Sequence, residues 1–315
     1  MARRRAIAVA APARIPSEVV WRLVRAAFIL AAALAIVLGG VGAFLTYRVV
    51  TTVNDTETVT PESSLQSNYI TLSFTDRKGG EHDGWLLLGL KGAPAIILCH
   101  GYNSNRSELL ALGSFLSKSN FNVYLFNSRG PKAEQGYSDL GIREAEDLLA
   151  AIEMVTRHPR VNRHRVGLFG TTSGGYAALV AAEQSPLVKA LVADTIYEDP
   201  SQMLEAQVDD LLGGTSRFFR MVPRAGFHLL TLGRARPPVR ANLSKLENMP
   251  KLFINSRDWP LLAAATEDLY ALAPPPKRML VLEHTYTTLA SGAMKKQYEQ
   301  EVVDFFRDKL PLRAD

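Results

Sequence analysis

The sequence contains one cysteine in 315 residues, Cys99, and this scarcity excludes an internal disulfide. Cys99 lies inside the apolar run 95–99, which indicates a thiol buried in the core. Clusters of cysteine and histidine are also missing, so we expect no zinc or other metal site. A phosphate-binding P-loop and a dinucleotide fingerprint are absent as well, so the sequence predicts no cofactor.

Basic charge is not in excess beyond the N-terminus. The formal net charge is +5, but residues 1–25 hold six arginines and one acid, and the rest carries 30 basic and 30 acidic residues. The high isoelectric point therefore belongs to a short tail. A main domain without a basic stripe argues against a nucleic-acid partner.

A long uncharged stretch, residues 26–47, lies between Arg25 and Arg48. About 20 apolar residues suffice for a helix to cross the hydrocarbon core of a bilayer. The apolar region of a cleaved signal peptide is shorter, about 7–15 residues. The stretch predicts a transmembrane helix over 26–48 that contacts the lipid bilayer. A cleaved signal peptide and a buried helix are the alternatives.

Basic residues flank this stretch unequally. Six arginines precede it, whereas no lysine or arginine occurs between Arg48 and Arg77. The positive-inside rule then predicts a cytoplasmic tail over 1–25 and an extracytoplasmic main domain over 67–315. Residues 49–66 are polar and proline-containing, which is typical of a solvated tether.

The main domain alternates apolar runs with helical patterns, which indicates an α/β fold with a mostly parallel, doubly wound sheet. We predict an opening antiparallel pair and then alternating core strands and helices. The strands are 69–75, 85–90, 95–99, 122–127, 165–169, 190–193, 251–255 and 279–283, and the helices are 107–116, 141–155, 175–183 and 298–310. Residues 198–248 break this rhythm and predict a small helical cap.

Three motifs follow core strands in this order: His100-Gly101-Tyr102, the segment NSRG at 127–130, and GTTSGG at 170–175. Together they resemble the α/β-hydrolase superfamily, in its esterase and serine-aminopeptidase-like acyl hydrolase branch. The resemblance covers about residues 68–310. It implies a nucleophile elbow at 170–175, with backbone oxyanion donors from Tyr102 and Ser173.

The side chains depart from the pattern of this family. Gly170 and Gly174 frame Thr172, so threonine occupies the position of the nucleophilic serine, and β-branched residues tolerate its strained backbone poorly. Ser173 is the alternative nucleophile if the elbow slips by one residue.

The acid and the base are also displaced. Asp258 is the candidate acid, but ungapped alignment to the family pattern puts the acid position at Trp259, and Asp258 could instead cap the next helix. The histidine position of the family falls near Thr287, whereas His284 lies about three residues earlier.

These departures predict a membrane-anchored hydrolase-fold protein that is non-catalytic or very weak and binds a small acyl ligand or a protein partner. The alternative is an active serine acyl hydrolase, an esterase, thioesterase or peptidase, with a shifted Ser173-Asp258-His284 triad. A structural membrane component is a third hypothesis.

Overall fold

The computed structural model describes residues 16–51, 56–64, 68–77, 79–128, 137–214, 217–232, 238–286, 288–289 and 292–312, with the backbone alone for 217–219. At its centre lies one eight-stranded sheet in the order β1-β2-β4-β3-β5-β6-β7-β8. The strands are β1 Tyr69–Thr75, β2 Glu81–Leu87, β3 Ala93–Cys99, β4 Asn122–Phe126, β5 Val161–Thr171, β6 Val188–Asp194, β7 Lys251–Ser256 and β8 Lys277–Leu282. β2 is antiparallel to both of its neighbours, and the pairs from β4 to β8 are parallel. This confirms the predicted mostly parallel sheet.

Helices cover both faces of the sheet. They are α2 Leu110–Lys118, α3 Ile142–Arg157, α4 Ser173–Gln184, α7 Pro260–Leu272 and α8 Ala293–Lys309. β3 is buried along its whole length, as expected for a parallel strand covered on both sides. Ile97 and Cys99 join the core on one face, whereas Ile96 and Leu98 join the core on the other, because side chains alternate along a strand. Burial also raises the pKa of the Cys99 thiol, as for a core residue.

Several boundaries differ from the predicted ones. β2 spans Glu81–Leu87 rather than 85–90, because its polar first half pairs with β1 across the turn at Asp76. β5 runs through Thr171, and α4 begins at Ser173 instead of 175. Pairing of Gly170 and Thr171 with β6 extends the strand to the edge of the elbow.

An N-terminal helix, α1 Ser17–Thr51, is longer at both ends than the predicted span 26–48. It is long and apolar enough to cross a membrane, and most of its surface is exposed. Its last turns are buried at Gly42, Leu45, Thr46, Val49 and Val50. The helix therefore ends on the main domain. Residues 1–15 of the predicted cytoplasmic tail lie outside the described residues.

Beyond α1, the chain is held against the main domain at Glu57, within the predicted tether 49–66. Arg106 Nε and Asn127 Nδ2 each donate to Glu57 Oε1 at 2.7 Å, and Asn105 Nδ2 donates to the Thr56 carbonyl at 3.0 Å. Side chains of the main domain thus fix the segment that follows α1.

Between β6 and β7, where the cap 198–248 is predicted, the chain forms α5 Pro200–Leu212, α6 Arg217–Leu230 and a 3₁₀ helix, Val239–Leu246. Asp199 caps α5 by accepting from the Ser201 N–H at 2.8 Å, and Gly213 ends this helix in the left-handed conformation. α6 packs against both α5 and α1. The predicted cap region therefore contacts the N-terminal helix.

Candidate functional site

The turn between β5 and α4 is a strained backbone feature centred on Thr172. Its φ of 48° and ψ of −114° lie in a region that a β-branched residue rarely adopts. The Thr172 N–H donates to the Asp194 carbonyl at 2.9 Å, and the Tyr176 N–H donates to the Thr172 carbonyl at 3.0 Å. Sheet and helix thus both hold the turn in this conformation.

Two glycines make the elbow geometry feasible. A Cβ at Gly174 would lie 2.3 Å from the His100 carbonyl oxygen, and one at Gly170 would lie 2.2 Å from the Gly174 oxygen. The chain comes this close only where side chains are absent. The structure accordingly brings Thr172, and not Ser173, to the turn that glycines frame, while Ser173 is the first residue of α4.

The hydroxyl of Thr172 points at the predicted oxyanion loop. Its Oγ1 accepts the Tyr102 N–H at 3.1 Å, and the side chain is nearly buried. Tyr102 N–H is one of the two predicted oxyanion donors. The other, the Ser173 N–H, lies at the first position of α4, where no intrahelical acceptor is available.

The candidate acid Asp258 lies in the turn after β7, beside the loop that follows β8. Its Oδ2 accepts the Thr285 N–H at 3.0 Å and the Thr288 hydroxyl at 2.6 Å. The carboxylate does not cap α7, because the N-cap residue Trp259 has no side-chain capping bond and Asp258 instead bonds to residues 285 and 288. The interpretation of Asp258 as a helix cap is therefore wrong.

The candidate base His284 follows β8 and is half-exposed. Its Nδ1 lies 3.8 Å from Asp258 Oδ2, which is too far for a hydrogen bond. Within the described part of the chain, no hydrogen bond joins His284 to Thr172 or Ser173. Thr287, near which the histidine position of the family falls, lies outside the described residues.

The histidine of the first motif, His100, is a structural residue of the loop beside the elbow. Its Nε2 accepts the Ser128 N–H at 3.1 Å, so Nδ1 carries the proton and donates to the Gly101 carbonyl at 3.0 Å. Burial lowers the pKa of His100, which favours this neutral form. The first two residues of the segment NSRG, Asn127 and Ser128, therefore help to fix the oxyanion loop; residues 129–130 lie outside the described residues.

A buried carboxylate behind the elbow, Asp194, escaped the sequence interpretation. Its Oδ1 accepts from the Thr195 and Ser256 hydroxyls at 2.7 and 3.1 Å, and its Oδ2 accepts from the Tyr298 hydroxyl at 2.7 Å. Burial raises the pKa of Asp194 to about 6 against the opposing effect of these hydrogen bonds. The sequence signal that could have identified Asp194 is an acidic residue directly after the apolar strand 190–193.

One cluster could offer three ligand atoms to a cation, although no metal was predicted. The ligand atoms of Asp76, His82 and Asp147 lie within 4.8 Å of one another and are buried. His82 Nε2 is 3.0 Å from Asp76 Oδ2, and this pair braces the β1–β2 hairpin. The cluster belongs to the opposite edge of the sheet from β7 and β8, which carry Asp258 and His284.

Comparisons with known proteins agree with this geometry. The family described as alpha/beta hydrolase fold matches residues 94–260. The uncharacterized protein YfhR of Escherichia coli K12 is 27% identical over 250 residues, which are 76% of this chain and 81% of that protein. The polyketide transferase grgF of a Penicillium species is 29% identical over 126 residues, 39% of this chain and 43% of that protein.

Solved structures share the fold at low sequence identity. The esterase Pf2001 of Pyrococcus furiosus superposes with a TM-score of 0.63 at 19% identity, over 82% of this chain and 98% of that one. A dienelactone hydrolase of Anabaena variabilis has a TM-score of 0.57 at 18% identity, over 78% and 99% of the two chains. At this identity the likeness concerns the fold alone.

Proposed function

Because the chain belongs to the α/β-hydrolase fold family, we propose that it is a membrane-anchored member with little or no hydrolytic activity, which binds a small acyl ligand or a protein partner. The observation that carries this proposal is the Thr172 hydroxyl, which bonds to the Tyr102 N–H at 3.1 Å rather than to an imidazole. A hydroxyl needs a base within hydrogen-bond reach to attack a carbonyl.

The surroundings of the acid support the same proposal. In an active triad the carboxylate accepts from the histidine and orients it. Here Asp258 Oδ2 accepts from Thr285 and Thr288, so the acid stabilises a loop. His284 lies 3.8 Å from it and half its side chain is exposed. Without the base, only binding and the oxyanion donors contribute, which leaves a small part of the rate of an intact triad.

An active serine hydrolase with a shifted Ser173-Asp258-His284 triad is the second candidate. One observation favours it, because His284 Nδ1 is the ring atom that faces Asp258. A modest loop movement would convert this approach into a hydrogen bond, since catalytic contacts are often loose in unliganded structures. An ester is the substrate class that we propose to test first for this candidate, since one protein of similar fold is an esterase.

A serine-reactive fluorophosphonate probe separates these candidates. We expect the purified full chain to show no labelling above that of a Ser173→Ala variant. Thr172→Ser is the sharper variant, because it supplies an unbranched alcohol at the elbow but no base, and we expect it to stay unlabelled too. Wild-type labelling that Ser173→Ala abolishes would establish the shifted triad, and strong labelling of Thr172→Ser would reveal a base near the elbow.

Membrane anchoring through α1 is the other part of the proposal, with the N-terminus in the cytoplasm and the main domain outside. It rests on the uncharged stretch 26–47 and on the arginines that precede it. We expect the protein to stay in the membrane fraction after alkaline extraction, and external protease to digest the main domain in intact cells. Release at alkaline pH would refute the anchor, and digestion only after lysis would reverse the orientation.

A further inference from the structure

A groove of about 670 Å³ lies between the end of α1 and the cap helix α6. Residues of α1 form one wall, among them Ala43, Thr46 and Tyr47, and Leu229 and Leu230 of α6 form part of the other. The described residues of its lining carry no charge, and its size falls in the range of small-molecule sites. We propose that this groove binds an acyl chain of a bilayer lipid, an inference that rests on the proposed anchoring by α1.

Fixed contacts between the two helices keep the groove in place. Gly42 packs so closely against α6 that a Cβ there would lie 2.2 Å from Val222 Cγ1. Thr46 Oγ1 donates to the Pro223 carbonyl at 3.0 Å, and the position of a Cβ on Gly226 is 3.2 Å from Thr46 Oγ1. Small residues thus let the helix backbones meet here. Their larger neighbours line the open space beside this crossing.

The depth of the groove along α1 argues for lipid as its occupant. The uncharged stretch of α1 ends at Tyr47, and six positions separate Gly42 from Arg48. At about 1.5 Å per residue this is about 9 Å, so Val222 and Gly226 contact α1 inside its apolar stretch. If α1 spans the bilayer, this crossing lies at the outer edge of the hydrocarbon, where lipid chains surround it.

Exposed apolar side chains occur on both helices that form the groove. Tyr47 and Leu229, which line it, are 62% and 69% exposed, and Met221 of α6 is 63% exposed. Exposed apolar residues that cluster on a surface mark a site for a membrane or a partner. The charged face of α6 is turned to α5, because Arg224 pairs with Glu205 at 3.0 Å and Arg220 lies 3.4 Å from Asp209. The surface beside α1 is therefore the one that suits hydrocarbon.

One residue, Tyr102, connects the elbow to the helix end that lines the groove. Val50 lines the groove, and the neighbouring Val49 carbonyl accepts the Tyr102 hydroxyl at 2.8 Å. The backbone N–H of the same Tyr102 donates to Thr172 Oγ1. One tyrosine thus links the end of the membrane helix to the elbow. A lipid chain in the groove would therefore contact the helix end that Tyr102 joins to the elbow.

Photo-crosslinking in proteoliposomes tests this proposal. The full chain is reconstituted in phosphatidylcholine that carries a diazirine on one acyl chain, and crosslinked peptides are mapped by mass spectrometry. We expect adducts on Leu229 and Leu230 together with residues 43–50 of α1. Ala43→Trp should fill the groove from an exposed position of α1. It should reduce labelling of 229–230 about tenfold. This is the loss of affinity expected when about two methylenes of the lipid chain are no longer buried in the groove.

Val41→Trp is the matched control, because Val41 is an exposed apolar residue of the same helix that does not line the groove. It should leave labelling of 229–230 unchanged. Liposome flotation is measured on every variant. If the protein floats but Ala43→Trp does not reduce labelling of 229–230, the groove is not a lipid site. The same holds if the protein floats and 229–230 are not labelled at all. In both cases the anchor stays intact. Failure of the wild type to float would overturn the anchor and this proposal together.

Discussion

Replacement of Asp194 by asparagine tests the energetics of the core behind the elbow. The side chain is fully buried and accepts hydrogen bonds from Thr195, Ser256 and Tyr298. An asparagine side chain would keep the shape of this group but would not titrate. The wild type and Asp194→Asn therefore differ in how their free energies of unfolding depend on pH.

The expected magnitude follows from the pKa of Asp194. Burial raises it from 3.8 to about 6, which corresponds to roughly 3 kcal/mol. The folded protein then binds more protons than the unfolded chain between these pH values, so its stability falls as the pH rises. This stabilising contribution is complete below pH 3.8 and is lost once the pH passes about 6.

At low pH the protonated carboxyl can satisfy its neighbours, whereas the amide nitrogen of asparagine cannot accept from the Tyr298 hydroxyl and leaves this donor without its acceptor, at about 1–3 kcal/mol. We therefore expect Asp194→Asn to be less stable than the wild type at pH 4. This gap should shrink by roughly 2.4 kcal/mol between pH 4 and pH 7, because the wild type holds a buried charge at pH 7 and part of the effect lies below pH 4.

Urea denaturation of the full chain in a nonionic detergent, followed by tryptophan fluorescence at several pH values, measures this gap. Asp210→Asn is the matched control, since Asp210 is an exposed acid and the variant should follow the wild type at every pH. A difference between wild type and Asp194→Asn that stays constant from pH 4 to 7 would refute a raised pKa at this site.

Two further pairs of substitutions test the elbow and the acid. Gly174→Ala should cost more than about 3 kcal/mol of stability, because its Cβ would meet the His100 backbone. Gly40→Ala is the control, because a Cβ at Gly40 has open space and should not change stability. Equal melting temperatures of the two variants in thermal denaturation would contradict the close packing at Gly174. Asp258→Ala should cost about 1–3 kcal/mol through lost bonds to the loop after β8, and His284→Ala less than about 0.5 kcal/mol. A double variant whose loss of stability in urea denaturation differs from the sum of the two single losses would show that His284 and Asp258 are coupled, in favour of the shifted triad.

The fold was within reach of the sequence because its signals are local and repeated. Continuous apolar runs such as 95–99 mark strands covered on both faces, and the GTTSGG turn requires a strand before it and a helix after it. Strand ends were less accurate. Residues 81–84 of β2 show no alternation of apolar and polar side chains, and they form a strand only because they pair with β1.

The framing glycines predict Thr172 at the bend, and the structure has this residue there, since glycine is needed wherever backbones come this close. The role of Thr172 as a nucleophile position stays a prediction. The sequence did not reveal that Thr285 and Thr288 bond to the candidate acid, because residues about 30 positions apart meet only when β7 and β8 pair. Asp194 was missed for the same reason, as its partners come from β7 and α8.

The order of neighbouring residues was enough to predict the sheet, the elbow and an apolar segment long enough to span a membrane. The partners of each polar group, and the place where α1 ends, follow from the packing of the folded chain. The end of α1 is packed on α6 and joined to Tyr102. Contacts of this kind depend on packing between distant segments, which no local pattern of residues records.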